Sequence, residues 1–331
     1  MIITKTPYRI SFFGGGTDHP AWFKEHGGKV LATTIDKYCY ITLRELPPFF
    51  EHKYRIVYSL IESVNDLNSI QHPSVREILK YFKTQVGLEI HHDGDLPARS
   101  GLGSSSSFSV GLINAMNAYL KISNSPLELA KKAIHIEQDL IKEHVGSQDQ
   151  ISAAYGGLNE INFYRDNTFS VEPKAFDYKR LSELNKHLML FFTGVSRFST
   201  DITKSQLSNI KNCHSQLNEM HDMVDQGSSI LNSNNTPLDD FGILLDKSWR
   251  LKRTLSNKIT NPMINDLYST ATKAGALGGK ILGAGGGGFV LFYVKPENQS
   301  RVKKALNKLT YVPFNFENSG SKVVLFQPAG L

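Results

Sequence analysis

Cysteine is scarce in this 331-residue chain, which contains only Cys39 and Cys213. The two residues form no C-x-x-C pair, the spacing that many redox motifs and zinc sites use. So few cysteines also fit a reducing compartment, where disulfides are rare. We therefore expect both to be buried or incidental thiols and assign them no function.

Long apolar runs are missing too. No stretch approaches the roughly 18 consecutive apolar residues that predict a membrane-spanning helix. The first residues, MIITKTPYRI, lack the basic-then-apolar layout of a secretory signal peptide. These absences predict a cytoplasmic protein with no membrane partner.

The composition is that of a globular protein. Hydrophobic residues make up 40% of the chain and 26 residues are glycine, which excludes disordered and collagen-like proteins. Because domains usually contain about 100 to 200 residues, the length predicts two domains. A polar, proline-containing stretch at residues 164–181 separates them, so we place the domains at residues 1–172 and 173–331.

The formal net charge is +6, which suits either an anionic ligand or nucleic acid. The densest basic stretches are WRLKR at 249–253 and RVKKALNK at 301–308. Both contain apolar residues at helical intervals, so we interpret each as the solvated face of a helix. We therefore expect small anionic ligands rather than nucleic acid.

The hydrophobic pattern predicts where the main elements lie. Strand-like runs at residues 1–13 and 29–46 predict an early sheet. Helical spacing follows at residues 72–85 and then a strand-like run at 87–95. Apolar residues then recur every four positions after the serine run at 104–107, so a helix should begin within that run.

Capping signals mark further helix starts. Ser125 and Glu128 have the spacing of a capping box, and the helix that they open should run to about His144. Ser147 can cap a second short helix with Gln150 at its third position. This helix would follow closely on the first.

The glycine cluster KILGAGGGGF contains Gly283, Gly285 and Gly288 in the pattern G-x-G-x-x-G. A dinucleotide-binding motif follows a strand and opens a helix, whereas here the next run, FVLFYV, is strand-like. The cluster is not a P-loop either, because Ile281 stands where Ser or Thr is required. The glycines should therefore join one strand to another.

The stretch SGLGSSSS at 100–107 is a better phosphate site. Two glycines precede four hydroxyls at the start of an amphipathic helix, so backbone N–H groups, the positive end of the helix dipole and serine hydroxyls converge. A serine-rich linker or an ordinary helix cap is the alternative. The glycines and the immediate helix favour phosphate binding.

Two acidic residues are candidates for chemistry. Asp149 falls in the first turn of the short helix, where the dipole favours the ionised carboxylate that a general base requires. Glu137 lies in the preceding acid-rich segment and could bind Mg²⁺. From spacing alone, a solvated helix acid or a cap is the more frequent explanation for each.

Four motifs together resemble one family. RISFFGGGTD, LPARSGLGSSSS, GSQDQ and KILGAGGGGF occur in the order and spacing of the superfamily of galactokinase, homoserine kinase, mevalonate kinase and phosphomevalonate kinase, the GHMP kinases. The resemblance covers nearly the whole chain. It implies an α+β fold of two domains: an N-terminal mixed sheet with helices and a C-terminal ferredoxin-like α/β sandwich.

The resemblance also implies an ATP site and catalytic residues. Asp149 matches the catalytic aspartate and Arg9 the arginine that accompanies it, while Ser105 and Glu137 match the residues that hold Mg²⁺. The residues that match the loop around the ATP phosphates are Gly101, Leu102, Gly103, Ser104, Ser105 and Ser106.

Within the superfamily, GGGTD, TGVSRFSTDI and GSQDQISAAYGG resemble the heptose 7-phosphate kinases and the related fucokinases. This resemblance implies phosphorylation of the anomeric hydroxyl of a sugar, on the way to a nucleotide-activated heptose for surface glycans. Bare glycines would let a bulky acceptor lie along the backbone. The residues expected on the acceptor side are Gly14, Gly15, Gly16, Thr17, Asp18, Arg197, Gly285 and Gly286.

Arg197 is our first choice for binding the acceptor's own phosphate, because an arginine fork suits a dianion and the residue follows a predicted strand in a loop. An ordinary solvated arginine is the alternative, and Arg99 is the reserve candidate. The rival from another class is a non-catalytic sugar and nucleotide sensor, which Arg9, Glu137 and Asp149 argue against. We expect a monomer or homodimer.

Overall fold

The structure is a computed structural model that describes residues 1–98, 100–174, 176–194 and 199–328, with the backbone alone at 199–201 and 211. Its first part is built on two long strands, which confirms the strands predicted at residues 1–13 and 29–46. The elements are β1 (Ile2–Phe13), α1 (Pro20–His26), β2 (Gly28–Glu45), β3 (Tyr54–Val57), β4 (Ile61–Val64), α2 (Pro73–Tyr81), β5 (Leu88–Gly94), α3 (Ser104–Tyr119), α4 (Pro126–Ile134), α5 (Gln148–Tyr155), β6 (Leu158–Phe163) and β7 (Phe169–Pro173).

The second part has longer helices and shorter strands. Its elements are α6 (Tyr178–His187), β8 (Leu188–Phe192), α7 (Ser199–Asn209), α8 (His214–Asn232), α9 (Asp239–Thr254), α10 (Pro262–Lys273), β9 (Ala276–Ile281), β10 (Phe289–Val294), α11 (Pro296–Ala305), β11 (Thr310–Val312), β12 (Phe316–Glu317) and β13 (Lys322–Phe326). Among the described helices, none combines the length and apolarity needed to cross a bilayer.

The larger sheet has nine strands, with the central order β13-β1-β2-β5-β3-β4. Strands β1 and β2 pair antiparallel along almost their whole length, and β6 and β12 also pair with β2. Helix α3 packs on β1 and β2. The start of α3 is therefore held against the centre of the sheet. So is the segment at residues 100–107 that was predicted to bind phosphate, which we call the phosphate loop.

The last two strands of the chain return to this first sheet. Strand β13 pairs with β1, and β12 pairs with β2. Residues 316–326 therefore pack with the N-terminal half, although they follow the second part in sequence. The proposed boundary between residues 172 and 173 stays a prediction.

The smaller sheet has the order β11-β8-β10-β9, and all of its pairs are antiparallel. Counted along the chain, this is the order 4-1-3-2 of a ferredoxin-like sheet, which confirms the predicted fold. Strands β9 and β10 pair directly. The glycine cluster therefore joins two strands, as its sequence indicated.

The helix expected to reach His144 is shorter than predicted. Helix α4 has the capping box of Ser125 and Glu128, but it gives way after Ile134 to a π-helical segment, His135–Leu140. Lys142 then adopts a φ of 61°, a left-handed conformation that does not continue a helix. Such π-helical segments are frequent at functional sites, and this one contains Glu137.

Two further interpretations were wrong. The Ser147 side chain does not cap α5 but accepts a hydrogen bond from Gln138 at 3.0 Å. The stretch WRLKR is not a solvated face, because Trp249 and Lys252 are buried while Arg250 is exposed. A helix that packs between other elements buries side chains on more than one face. The run of basic residues gave no sign of this burial.

Candidate active site

A cleft of about 400 Å³ is lined by residues from both parts of the chain. We call its two sides the N-terminal wall and the C-terminal wall. The N-terminal wall includes Arg9, Gly15, Gly16, Asp18, Gly103, Ser104, Ser105, Ser106 and Asp149, and the C-terminal wall includes Lys252, Lys280 and Gly283.

The phosphate loop runs along the N-terminal wall into α3. Its N-cap residue, Gly103, has a φ of 75° and makes no side-chain capping hydrogen bond to the N–H groups of the first helical turn. Residues 104–106 line the cleft beside this turn. Backbone N–H groups and the helix dipole meet at this place, which suits an anion, and phosphate binding here stays a prediction.

Two glycines bring the phosphate loop against the C-terminal glycine cluster. A Cβ at Gly101 would lie 2.5 Å from the carbonyl oxygen of Leu282, and one at Gly283 would lie 2.5 Å from the Cα of Gly101. The two backbones therefore touch without side chains between them. This contact joins the two walls.

Arg9 and Asp149 form the central ion pair of the N-terminal wall. Arg9 Nε donates to Asp149 Oδ1 at 2.8 Å, and its Nη2 donates to Oδ2 at 2.9 Å. The remaining nitrogen, Nη1, donates to the carbonyl of Gly101 at 2.7 Å. The arginine side chain is 6% exposed and the aspartate side chain 26%, so the carboxylate faces the cleft with the guanidinium behind it.

The pKa of Asp149 is raised above its ordinary value. Burial is the largest cause, and the charge of Asp18 adds to it, while Arg9 opposes both through its charge and hydrogen bonds. A carboxylate that binds a proton more readily than usual, yet is held by a guanidinium, is suited to accept a proton from a bound hydroxyl.

Asp18 connects the glycine loop, residues 14–16, to the start of α5. Its carboxylate is 1% exposed and accepts from the backbone N–H of Gly16 at 2.9 Å and of Gln148 at 3.4 Å. Its backbone carbonyl accepts from Ser147 N–H at 3.1 Å. Asp18 thus fixes the position of Gly16 relative to Asp149.

Of the other residues predicted on the acceptor side, Gly15 lines the cleft, whereas Gly14 and Thr17 lie behind it. The Thr17 hydroxyl donates to the carbonyls of Gly14 and Lys29. A Cβ at Gly14 would lie 1.9 Å from the same Lys29 oxygen. Both residues shape the loop.

Two further predicted acceptor residues lie elsewhere. Gly285 and Gly286 pack against Ile259, whose carbonyl accepts from Gly286 N–H at 2.8 Å. Arg197 lies outside the described residues, as does the reserve candidate Arg99.

Glu137 lies fully buried behind the serines. Ser106 Oγ donates to Glu137 Oε2 at 2.9 Å, and Gln150 Nε2 donates to the same oxygen. Burial is the main cause that raises its pKa to about 7, and Glu143 adds to it. Ser105, the serine paired with Glu137 in the sequence prediction, is exposed on the cleft side.

One carboxylate beside serine hydroxyls fits Mg²⁺, because this hard cation prefers oxygen ligands and usually keeps several waters and substrate phosphates. Glu137 Oε1 has no hydrogen-bond partner of normal geometry among the described residues. Within the same part of the chain, no cluster of three or more His, Cys, Asp or Glu could hold a metal on its own. Glu137 with the serines is therefore the site that fits.

Sequence reasoning missed two cleft residues, Lys252 and Lys280. Both are buried on the C-terminal wall, at 8% and 3% exposure. Lys280 had a signal, because it is the first residue of KILGAGGGGF and lies in a strand that pairs with the buried β10. Lys252 lies in WRLKR, which was interpreted as a solvated helix face, so its burial was not predicted.

Comparison with known proteins assigns the chain to a family. Residues 70–157 match the model of the GHMP kinase N-terminal domain, and residues 232–312 match that of the C-terminal domain. The chain is 32% identical to the D-glycero-alpha-D-manno-heptose 7-phosphate kinase of Campylobacter jejuni, over 97% of this chain and 98% of that protein.

More distant relatives have related activities or the same fold. The bifunctional fucokinase/GDP-fucose pyrophosphorylase of Arabidopsis thaliana is 25% identical over 89% of this chain, which spans 30% of that protein. A solved D-glycero-D-manno-heptose 1-phosphate kinase from Bacteroides thetaiotaomicron superposes with a TM-score of 0.80 at 23% identity, covering 99% of this chain and all of that one.

The two-domain fold and the family matches identify a kinase, and the chain has no P-loop motif. The chain belongs to the GHMP kinases, as both family models and the 32% identical relative show.

Proposed function

We propose that this kinase transfers the γ-phosphoryl group of ATP to the anomeric hydroxyl of D-glycero-α-D-manno-heptose 7-phosphate, giving the 1,7-bisphosphate. The observation that carries this proposal is the 32% identity, over nearly the full length of both chains, to a heptose 7-phosphate kinase. The product would enter the synthesis of a nucleotide-activated heptose, such as GDP-heptose, for surface glycans.

The nucleotide phosphates are assigned to the phosphate loop. Its uncapped N–H groups and serine hydroxyls bind anions without a P-loop lysine. Glu137 with Ser105 or Ser106 would hold Mg²⁺, which when bound neutralises charge on the phosphates. The protein's own contribution here is to hold the phosphates in one place and orientation.

Asp149 is assigned the role of general base. It accepts the proton of the acceptor hydroxyl as the oxygen bonds to phosphorus, and Arg9 keeps the carboxylate ionised and aimed at the cleft. Both carboxylate oxygens already accept from Arg9, but each has a second lone pair for the hydroxyl.

The acceptor is assigned to the space beside Gly15, Gly16 and Asp18. Bare backbone here admits a seven-carbon sugar more readily than bulky side chains would. Arg197 stays a prediction for the acceptor's phosphate, because the described residues do not include it.

A fucokinase-like activity is the second candidate. The Arabidopsis protein and an L-fucokinase/L-fucose-1-P guanylyltransferase of Bacteroides fragilis are each 25% identical to this chain. Fucose has no phosphate of its own, so the two candidates differ in whether the acceptor must be an anion.

The test is a turnover panel with ATP and heptose 7-phosphate, unphosphorylated heptose, mannose, fucose and galactose, read as ADP release and by identifying the product. We expect kcat/KM to be highest for heptose 7-phosphate and the product to be its 1,7-bisphosphate. Equal kcat/KM for phosphorylated and plain sugars, or a preference for fucose, would overturn the assignment. Tight binding of sugar and ATP without turnover would indicate a sensor.

A further inference from the structure

Two buried lysines on the C-terminal wall have no place in the mechanism above. Lys252 lies on α9 and Lys280 on β9, and both line the cleft although they are more than nine-tenths buried. Lysine is almost never fully buried unless it is paired. Within the described residues, neither forms an ion pair with an acidic side chain, so their burial needs another explanation.

The hydrogen bonds of the two ammonium groups do not use all of their N–H donors. Lys280 Nζ donates to the carbonyl of Phe12 at 2.7 Å. Lys252 Nζ donates to the carbonyl of Ile281 at 3.1 Å and to that of Gly283. In the protonated forms, which a bound anion would favour, each ammonium group has three N–H donors, so two on Lys280 and one on Lys252 have no partner in the described part of the chain.

These bonds place the lysines between the two glycine-rich segments. Phe12 is near the end of β1, directly before the glycine loop assigned to the acceptor, while Ile281 and Gly283 lead into the C-terminal cluster. Because the proposed function assigns the nucleotide phosphates to the start of α3, we assign the lysines to the acceptor side of the cleft.

The electrostatics of this place favour an anion. Burial is the main cause that lowers the pKa of Lys252 to about 7, and Arg9 lowers it further while Asp18 opposes. The pKa of Lys280 is lowered by burial, then by Lys252 and Arg9. Arg9 is neutralised by Asp149, so a bound dianion would supply the missing negative charge for the two lysines.

We propose that Lys252 and Lys280 form an anion subsite for the phosphate group that the acceptor already has, so that the C-terminal wall selects a phosphomonoester. This inference rests on the proposed function for the identity of the acceptor, but not for the presence of the site. The alternative is a structural role, in which the lysines only hold the carbonyls of the two glycine-rich segments.

The first experiment compares Lys280→Met and Lys252→Met with the matched control Lys258→Met, an exposed lysine just beyond α9. We expect KM for heptose 7-phosphate to rise about 10- to 100-fold in each cleft variant, the scale of a charge-assisted hydrogen bond, with KM for ATP unchanged. The control should match the wild type. Equal losses for the phosphorylated and the plain sugar would overturn the proposal.

The second experiment uses the wild-type enzyme and does not depend on variants that fold. At saturating ATP, which occupies the phosphate loop, inorganic phosphate should compete with the phosphorylated acceptor. If it does not compete with the acceptor, the subsite is wrong.

A third measurement separates this inference from the proposed function. Inorganic phosphate binding is followed by calorimetry with a non-hydrolysable ATP analogue saturating the phosphate loop. Binding that persists in the wild type and weakens at least about 10-fold in Lys280→Met or Lys252→Met supports the subsite, even if heptose 7-phosphate is not turned over. Equal phosphate binding by the wild type and both variants, or none by the wild type, contradicts it.

Discussion

On the N-terminal wall of the cleft, the guanidinium of Arg9 is neutralised by Asp149, whereas on the C-terminal wall Lys252 and Lys280 have no acidic partner among the described residues. The first wall resembles a preorganised catalytic pair, in which each charge fixes the other. Under the proposed subsite, an anion would supply the partner that the second wall lacks. The difference between a paired and an unpaired wall is what leads us to propose catalysis for the first and recognition for the second.

The largest effect should come from removing the negative partner on the first wall. In Asp149→Asn the base is lost and Arg9 is left unpaired, so turnover should fall by about 10² to 10⁴, while binding of ATP and acceptor persists. Steady-state kcat and equilibrium binding check this. Asp266→Asn, at an exposed helical acid, is the control. Nearly full turnover in Asp149→Asn would make the residue structural.

Removing the positively charged partner, Arg9, is a second test of the Arg9–Asp149 ion pair. Burial raises the pKa of Asp149 and Arg9 opposes that rise, so in Arg9→Gln the pKa should rise further. Since the base must be ionised, the acidic limb of the kcat/KM profile should move to higher pH, with about a 10- to 100-fold loss in kcat. An acidic limb at the same pH as in the wild-type profile would contradict the expected rise in the pKa of Asp149. Arg250→Gln, at an exposed arginine, should leave the profile unchanged.

The buried acid behind the N-terminal wall gives a third test. A neutral amide is a poorer ligand for a hard cation, so Glu137→Gln should raise the Mg²⁺ concentration for half-maximal activity by roughly 10-fold. The measurement is a Mg²⁺ titration at saturating ATP and acceptor. A titration curve that coincides with the wild type would remove Glu137 from the metal site.

The smallest expected effect concerns the contact between the walls. In Gly283→Ala, the new Cβ would meet the Cα of Gly101 at 2.5 Å, whereas a Cβ at Gly194 would meet no atom of the described residues within 4 Å. Both glycines have positive φ, so Gly194→Ala controls for backbone strain. We expect Gly283→Ala to lower the free energy of unfolding by about 1 to 3 kcal/mol more than the control, measured by urea unfolding. Equal losses would show that the walls can separate freely.

The sequence alone determined the local features. Capping and spacing placed the start of α3 at the serine run, the capping box at Ser125 and the two strands that flank the glycine cluster. These signals succeed because they involve residues within a few positions of each other. The same stretches supported the resemblance to the family, and with it the roles assigned to Arg9 and Asp149.

Tertiary structure decided which charges meet. Arg9 and Asp149 are 140 positions apart, and Lys280 reaches Phe12 across 268 positions. The register of β1 against β2 and the packing of α9 on β9 bring such groups together, and no local pattern encodes these distances. Burial likewise depends on what packs over a residue. For this reason Lys252 could not be distinguished from a solvated lysine until the helix had its neighbours.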